Sequence, residues 1–264
     1  MTTPLRIASW NVNSLRVRFE HVLRYLEQAQ PDVLCLQETK VEDHKFPAEA
    51  LAAAGYPHQL ISGQKTYNGV AILSKHPLVD PQLGFTVPHP AGLDDEQRRM
   101  VAATVSGVRV FCCYVPMGTA PGHAKFTYKL QWLARLRGEL NQLAATEPVL
   151  VCGDLNVALG ELDTWDAVST DGSILCHPHE RMVLRKVMDW GLHDAFRALH
   201  PDERTFSWWD YRGGAYPRNR GFRIDYVLLS KPLLERCVAS RTWADTRAWE
   251  PTASDHIPVS VDLS

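Results

Sequence analysis

Apolar residues recur along the chain as short β-branched runs bounded by turn residues: LRIASWN, PDVLCLQE, GVAILS, MVAATVS, VRVFCCYVP, PVLVCGDLN, RIDYVLLS and HIPVSVDL. Each predicts a strand. Between them the spacing of apolar positions becomes helical over 19–30, 124–145 and 179–190, with Gly191 as a stop for the last. Ser106-Gly107 separates two runs too tightly for a helix and predicts a hairpin, so the sheets are expected to be mixed. No repeat, low-complexity tract or Pro/Ser linker divides the 264 residues. The expectation is one α/β domain, 1–264, with two mixed β-sheets packed face to face and helices outside. The irregular stretch 210–221 stands apart and predicts a functional loop.

Composition narrows the setting. A hydrophobic content of 45% with 22% charged residues is that of a globular chain. No apolar run approaches the roughly 20 residues that span a bilayer, so no membrane association is expected. The first residues lack a basic start, an apolar segment and a cleavage site, which predicts a cytoplasmic protein. Four of the six cysteines, Cys35, Cys112, Cys113 and Cys152, lie inside apolar runs and no CxxC spacing occurs. That predicts free thiols in a reducing compartment rather than disulfides or a zinc site. The net charge of -2 excludes a uniformly basic nucleic-acid binder but leaves room for a local basic face. A monomer is expected.

The polar residues that interrupt the runs carry the chemistry. Asn11 and Asn13 follow IASW, Gln37 and Glu38 follow VLCL, Tyr114 follows VFCC, and Asp154 and Asn156 follow VLVCG, with Asp225 in RIDY and Asp255-His256 in SDHIP joining them. Read singly, Asp154 beside Gly153 is a turn former, Asn11 and Asn156 are turn residues, Tyr114 is a strand aromatic and His256 a satisfied histidine. Recurrence at one strand end after another favours a shared mouth where ligands bind. Carboxylate and amide oxygens with a single histidine and no cysteine suit Mg²⁺ or Mn²⁺, and hence phosphoryl chemistry. Adjacent residues on an extended chain face opposite ways, so Asp255 cannot orient His256; Asp225 is the candidate, unless it pairs with Arg223 instead.

In this order, SWNVNSLR, LQETK, YVPMG, GDLN, RIDY and SDHIP resemble the endonuclease/exonuclease/phosphatase superfamily. LQETKVEDHKFP, HERMVLRKVMDWGLHDAFRALHP and FSWWDYRGGAYPRNRGFRIDY are similar to its exonuclease III branch of abasic-site endonucleases, so the resemblance covers nearly the whole chain. It implies a four-layered α/β sandwich and a divalent-metal-dependent DNA repair nuclease. Such an enzyme cleaves on the 5′ side of abasic sites and has 3′–5′ exonuclease and 3′-phosphatase or phosphodiesterase activities on double-stranded DNA. It implies Glu38 as the main metal ligand with Asn11 and Asp255 nearby, Asp154 as the activator of water, Asn156 and Tyr114 as phosphate-holding groups, and His256 with Asp225 as a phosphate-polarising pair. One cation or two remain open, since Asp154, Asn156 and His256 form a candidate second site.

The substrate is addressed by residues 204–223, where Arg204, Arg212, Arg218, Arg220 and Arg223 face one acid, Asp210, and alternate with Phe206, Trp208, Trp209, Tyr211, Tyr216 and Phe222. Cations that track phosphates beside flat rings are the pairing of a nucleic-acid surface. One of Trp208 and Trp209 is expected in the core, because strand neighbours face opposite ways. By resemblance Trp208 and Phe222 line a pocket for an extruded abasic sugar, Arg212 inserts into the duplex, and Arg16 contacts the DNA backbone; Arg220 belongs to the same loop. Lys125 and Lys129 either extend this face or lie on a helix surface. A lipid or inositol phosphatase is disfavoured by the Arg-aromatic loop, and a silent DNA-binding relative by the retained acids.

Overall fold

A computed structural model describes residues 4–89 and 95–264. Twelve strands lie among these residues: β1 (Leu5–Asn11), β2 (Val33–Gln37), β3 (His58–Ser62), β4 (Val70–Ser74), β5 (Leu78–Leu83), β6 (Met100–Val105), β7 (Val108–Tyr114), β8 (Val149–Asp154), β9 (Leu192–Asp194), β10 (Asp225–Ser230), β11 (Cys237–Thr242) and β12 (Val259–Leu263). The α-helices are α1 (Leu15–Ala29), α2 (Ala48–Ala53), α3 (Ala124–Leu140), α4 (Ala167–Thr170), α5 (Pro178–Met188), α6 (Ala195–Leu199) and α7 (Lys231–Leu234). The strands form two mixed six-stranded sheets, ordered β11-β12-β1-β2-β4-β3 and β5-β6-β7-β8-β10-β9.

Alternation along the central strands explains the layers. In β2, Val33 and Cys35 face the other sheet while Leu34 and Leu36 face outward onto α1, joining Tyr25 and Leu26. In β8, Leu150 and Cys152 face inward while Val149 and Val151 meet Trp132 and Leu136 of α3 and Leu184 of α5. Both faces are buried, which is why these strands read as unbroken apolar runs. Helix, sheet, sheet and helix thus form the four layers expected.

Two connections help to position the site. The β6–β7 hairpin turns at Ser106 (φ 47°) and Gly107 (φ 81°), the paired positive values of a tight two-residue turn, so Val105 meets Val108. The expected helix 124–145 ends at Leu140, because the chain must leave it to bring Val149 of β8 opposite Arg109 of β7.

β8 does not turn at Gly153, as PVLVCGDLN suggests. The strand continues through Asp154, with Gly153 opposite Cys113 of β7 and Tyr226 of β10. Glycine is required there by proximity: φ is +136°, and a Cβ would sit 1.8 Å from the Cys113 carbonyl oxygen. All six cysteines are buried and free, as expected.

Candidate active site

The two parallel pairs, β1 with β2 and β7 with β8, each joined through a helix, end on the same edge of the sandwich. Asn11 lies opposite Gln37 in one sheet and Tyr114 opposite Asp154 in the other. Antiparallel neighbours start where these end: β10 begins at Asp225, opposite Asp154. Residues 254–256 lead into β12 against the end of β1, held by Ser254 Oγ on the Asn11 carbonyl at 2.8 Å and Trp10 Nε1 on the His256 carbonyl at 3.1 Å. Six separate segments therefore meet at one mouth.

The chain leaves these strands in left-handed conformations at Asn13 (φ 42°), Glu38 (φ 52°), Lys40 (φ 51°) and Asn156 (φ 52°). Such backbone is costly for non-glycine residues and persists where surrounding bonds over-determine it. Here Ser14 N–H donates to the Glu38 carbonyl at 2.7 Å and Asn156 N–H to Asp154 Oδ1 at 3.0 Å.

Asn11 Nδ2 donates to Glu38 Oε1 and to Asp154 Oδ2, each at 2.9 Å, so one amide bridges the carboxylates of the two sheets. Glu38, Asp154 and His256 each offer a ligand atom, all within 4.8 Å of one another. His256 Nδ1 lies 2.9 Å from Asp225 Oδ2, and its Nε2 lies 3.7 Å from Asp154 Oδ2. The alternative partner for Asp225 is excluded: Arg223 is buried and bonds Asp163 at 2.8 Å and Asp194 at 2.7 Å. Asp255 accepts from Asn13 Nδ2 at 2.9 Å and from Trp208 Nε1 at 3.0 Å.

Burial opposes the charge on Glu38, but Lys40, with Nζ 2.8 Å away, and Asn11 outweigh it and hold the carboxyl below its ordinary value. Burial, with Asp225 and Glu38 nearby, pushes Asp154 up to about 7 against the pull of His256 and Asn11. Burial disfavours the imidazolium of His256, yet Asp225 and Asp154 prevail and raise it to about 10. Burial drives the Tyr114 hydroxyl well above its usual range, with Glu38 and Asp154 adding to it, so it stays a donor. These donors fit a hard divalent cation: two carboxylate oxygens share one amide N–H₂, and such a cation would offset the burial and the carboxylate repulsion that lift Asp154. For Asn11 to offer its oxygen the amide would have to reverse, breaking the bond from Asn13 N–H to its Oδ1 at 3.0 Å.

Beside the mouth, residues 206–209 run as a bridge between Phe222 and the 255–257 segment. Trp208 exchanges backbone bonds with Phe222, Trp209 N–H donates to the Asp255 carbonyl at 3.0 Å, and Ile257 N–H to Ser207 at 2.9 Å. Trp209 is the core member of the pair, packed with Phe206 and Ile257. Trp208 packs at 5.9 Å against Phe222 and 6.2 Å against His256, over Ile174, Leu175 and Ile224. Arg212, its side chain 90% exposed, pairs with nearby Asp210 at 3.2 Å, and Arg220 lies over Trp165 at 4.9 Å. Arg16 borders a cleft of about 470 Å³ whose lining includes Lys40, Lys45 and Lys65. A second cleft of about 410 Å³ includes Tyr114, Arg99 and Lys125, with Arg99 over the Tyr114 ring at 4.5 Å.

Sequence reading overlooked Lys40 and Arg99, which contact Glu38 and Tyr114, and singled out Asn13 at the end of its run without giving it a role; it contacts Asp255. Lys40 is two residues past Glu38 and Asn13 two past Asn11, a spacing that marks the same strand exit; Arg99 has no such signal. Lys129 corrects an expectation: it is neither on the substrate face nor on a helix surface, but fully buried against Glu180 at 2.5 Å, whereas Lys125 is exposed. Among the described residues no helix is long and apolar enough to cross a membrane.

Residues 8–256 match the Endonuclease/Exonuclease/phosphatase family. The chain is 35% identical over 268 residues to exodeoxyribonuclease III of Haemophilus influenzae, covering 97% of this chain and 98% of that protein. Among solved structures it is similar to a 3′ phosphatase from Neisseria bound to a product DNA hairpin, with TM-score 0.93, 40% identity, and coverage of 98% of this chain and 99% of that one. An AP endonuclease from Archaeoglobus fulgidus gives TM-score 0.92 and 37% identity, covering 98% of this chain and 99% of the other. The shared sandwich, the carboxylate, amide and imidazole cluster at its mouth and these full-length likenesses agree: the chain belongs to the Endonuclease/Exonuclease/phosphatase family, as a metal-dependent hydrolytic nuclease of the exodeoxyribonuclease III kind.

Proposed function

We propose that the protein is a DNA repair nuclease that hydrolyses the phosphodiester on the 5′ side of abasic sites in double-stranded DNA and also trims 3′ ends as an exonuclease and 3′-phosphatase or phosphodiesterase. The observation that carries this is the mouth itself: the Asp154 carboxylate and the His256 imidazolium face each other at 3.7 Å beside a surface of arginines and rings. The named relatives, an exodeoxyribonuclease III, a DNA-bound 3′ phosphatase and an AP endonuclease, support it.

Asp154 orients a water and takes its proton as the oxygen attacks phosphorus; the P–O3′ electron pair leaves on O3′, which takes a proton from solvent, giving a 3′ hydroxyl and a 5′ phosphate. His256, held protonated by Asp225, donates to a phosphate oxygen. Tyr114 supplies a second donor, its hydroxyl, and Asn156 an amide, aimed by its Nδ2 bond to the Val115 carbonyl at 2.9 Å. Mg²⁺ or Mn²⁺, held by Glu38 with Asn11 and Asp255 nearby, supplies positive charge to the phosphate and leaving oxygens when bound. In the alternative with two ions, His256 would give up its proton and join Asp154 and Asn156 as ligands of the second. Trp208 and Phe222 form an apolar wall that accepts a baseless sugar, whose extrusion costs less stacking than that of an intact nucleotide. Arg16, Arg212 and Arg220 hold the duplex.

Asp154→Asn tests the reading. Cleavage of a duplex with an abasic analogue in Mg²⁺ is expected to fall by several orders of magnitude while DNA binding stays near that of the unchanged protein. Undiminished cleavage would remove Asp154 from its role. Parallel duplexes with a recessed 3′ end or a 3′ phosphate rank the activities.

A further inference from the structure

Lys129 of α3 is fully enclosed, yet its ammonium has a complete set of partners. Nζ donates to Glu180 Oε1 at 2.5 Å, to the Asn156 carbonyl at 2.6 Å and to the Met117 carbonyl at 3.2 Å. Three donors meet three acceptors, each on a different segment: α5, the exit of β8 and the exit of β7. The β7 exit rests on the lysine stem, since a Cβ at Gly118 would lie 3.2 Å from Lys129 Cδ.

The effect converges on Asn156. Its N–H is held by Asp154 Oδ1 at 3.0 Å and its carbonyl by Lys129, so the peptide planes on both sides of its Cα are tied. Those two planes set φ and ψ, and with them the direction in which the side chain leaves a left-handed backbone at φ 52°. A buried ion pair is a poor device for stability alone, because desolvation offsets its attraction.

We infer that Lys129, neutralised by Glu180, is a positioning residue that aims Asn156 at the scissile phosphate. The inference rests on the reading of Asn156 as a phosphate-holding amide. Lys129→Met alone would strand the Glu180 carboxylate in the interior, so the informative protein is Lys129→Met with Glu180→Gln. The glutamine keeps an oxygen for the His177 N–H that Glu180 accepts at 3.1 Å.

The assay is steady-state cleavage of the abasic duplex in Mg²⁺, per folded molecule, with the melting temperature measured beside it. The single Lys129→Met variant is expected to melt lower and the double variant to recover, yet the double variant should turn over about tenfold or more slowly with KM little changed. Added to Asn156→Ala, the same two substitutions should slow turnover no further. A double variant with unchanged kcat, or an equal slowing on top of Asn156→Ala, overturns the inference. Full activity of Asn156→Ala alone would instead remove the reading of Asn156 beneath it.

Discussion

Gly153→Ala is the most exacting perturbation the structure offers, because it adds one methyl group between the two strands that carry Tyr114 and Asp154. The new Cβ would lie 1.8 Å from the Cys113 carbonyl oxygen, against the 3.0 Å below which such approaches essentially never occur. The rung must therefore open by about 1.2 Å, enough to weaken the ladder hydrogen bonds on either side, at about 1 kcal/mol each. Alanine at φ +136° adds about 1–3 kcal/mol of backbone strain. Together these give about 3–5 kcal/mol, or about 10 °C in melting temperature for a chain of this length. The catalytic consequence follows from register: Asp154 is one residue on, opposite Tyr114 on one side and Asp225 on the other, so a shift near 1 Å moves it against both. A displacement of that order lowers kcat by about a hundredfold. Thermal unfolding and single-turnover cleavage of an abasic duplex read the two effects. A variant that melts with the unchanged protein and cleaves at its rate would refute the claim that close strand approach dictates this glycine.

Arg223→Met should leave the buried Asp194 without its cation, while Asp163 keeps Arg197 at 2.8 Å, and destabilise the protein by about 3 kcal/mol in chemical denaturation; an unmoved midpoint would show that the Arg223 pairs are not an anchor. Lys45→Ala with Lys65→Ala, on the cleft beside Arg16, should weaken duplex binding and flatten its dependence on log salt by about 0.9 for each phosphate no longer neutralised, with kcat retained. An unchanged slope would take that cleft out of the DNA path. Asp225→Asn removes the strongest influence raising His256, leaving burial to act in the other direction, so the imidazole should lose its proton about one unit or more below its value of about 10. Ring-proton NMR titration of the metal-free protein measures this, and an unmoved midpoint would mean that Asp225 does not hold the charge.

The strands that the apolar runs announce are the eight interior ones, and the four they miss, β3, β5, β9 and β11, are the four sheet edges. The reason is physical. An interior strand is covered on both faces and is mostly apolar, while an edge strand is paired on one side and half exposed, so its signal fades. β5 carries Asp80 and Pro81 where its register with β6 shifts, which is tolerated only at an edge. The same logic separates Lys129 from Lys125: both lie on α3, and only the packing of α5 and two strand exits over one of them shows which is enclosed.

The sequence by itself determined the layered α/β architecture, the residues that stop its central strands and the family they mark, because burial pattern and residue chemistry are local properties of the chain. Only the tertiary structure decided that Arg223 turns to Asp163 and Asp194 and leaves Asp225 to His256, that Trp209 packs inward and Trp208 toward the site, and that Asn11 joins Glu38 to Asp154 across the two sheets. Each of those outcomes is a choice among partners distant in the chain, and such choices are made by the register and convergence of strands, which no single segment contains.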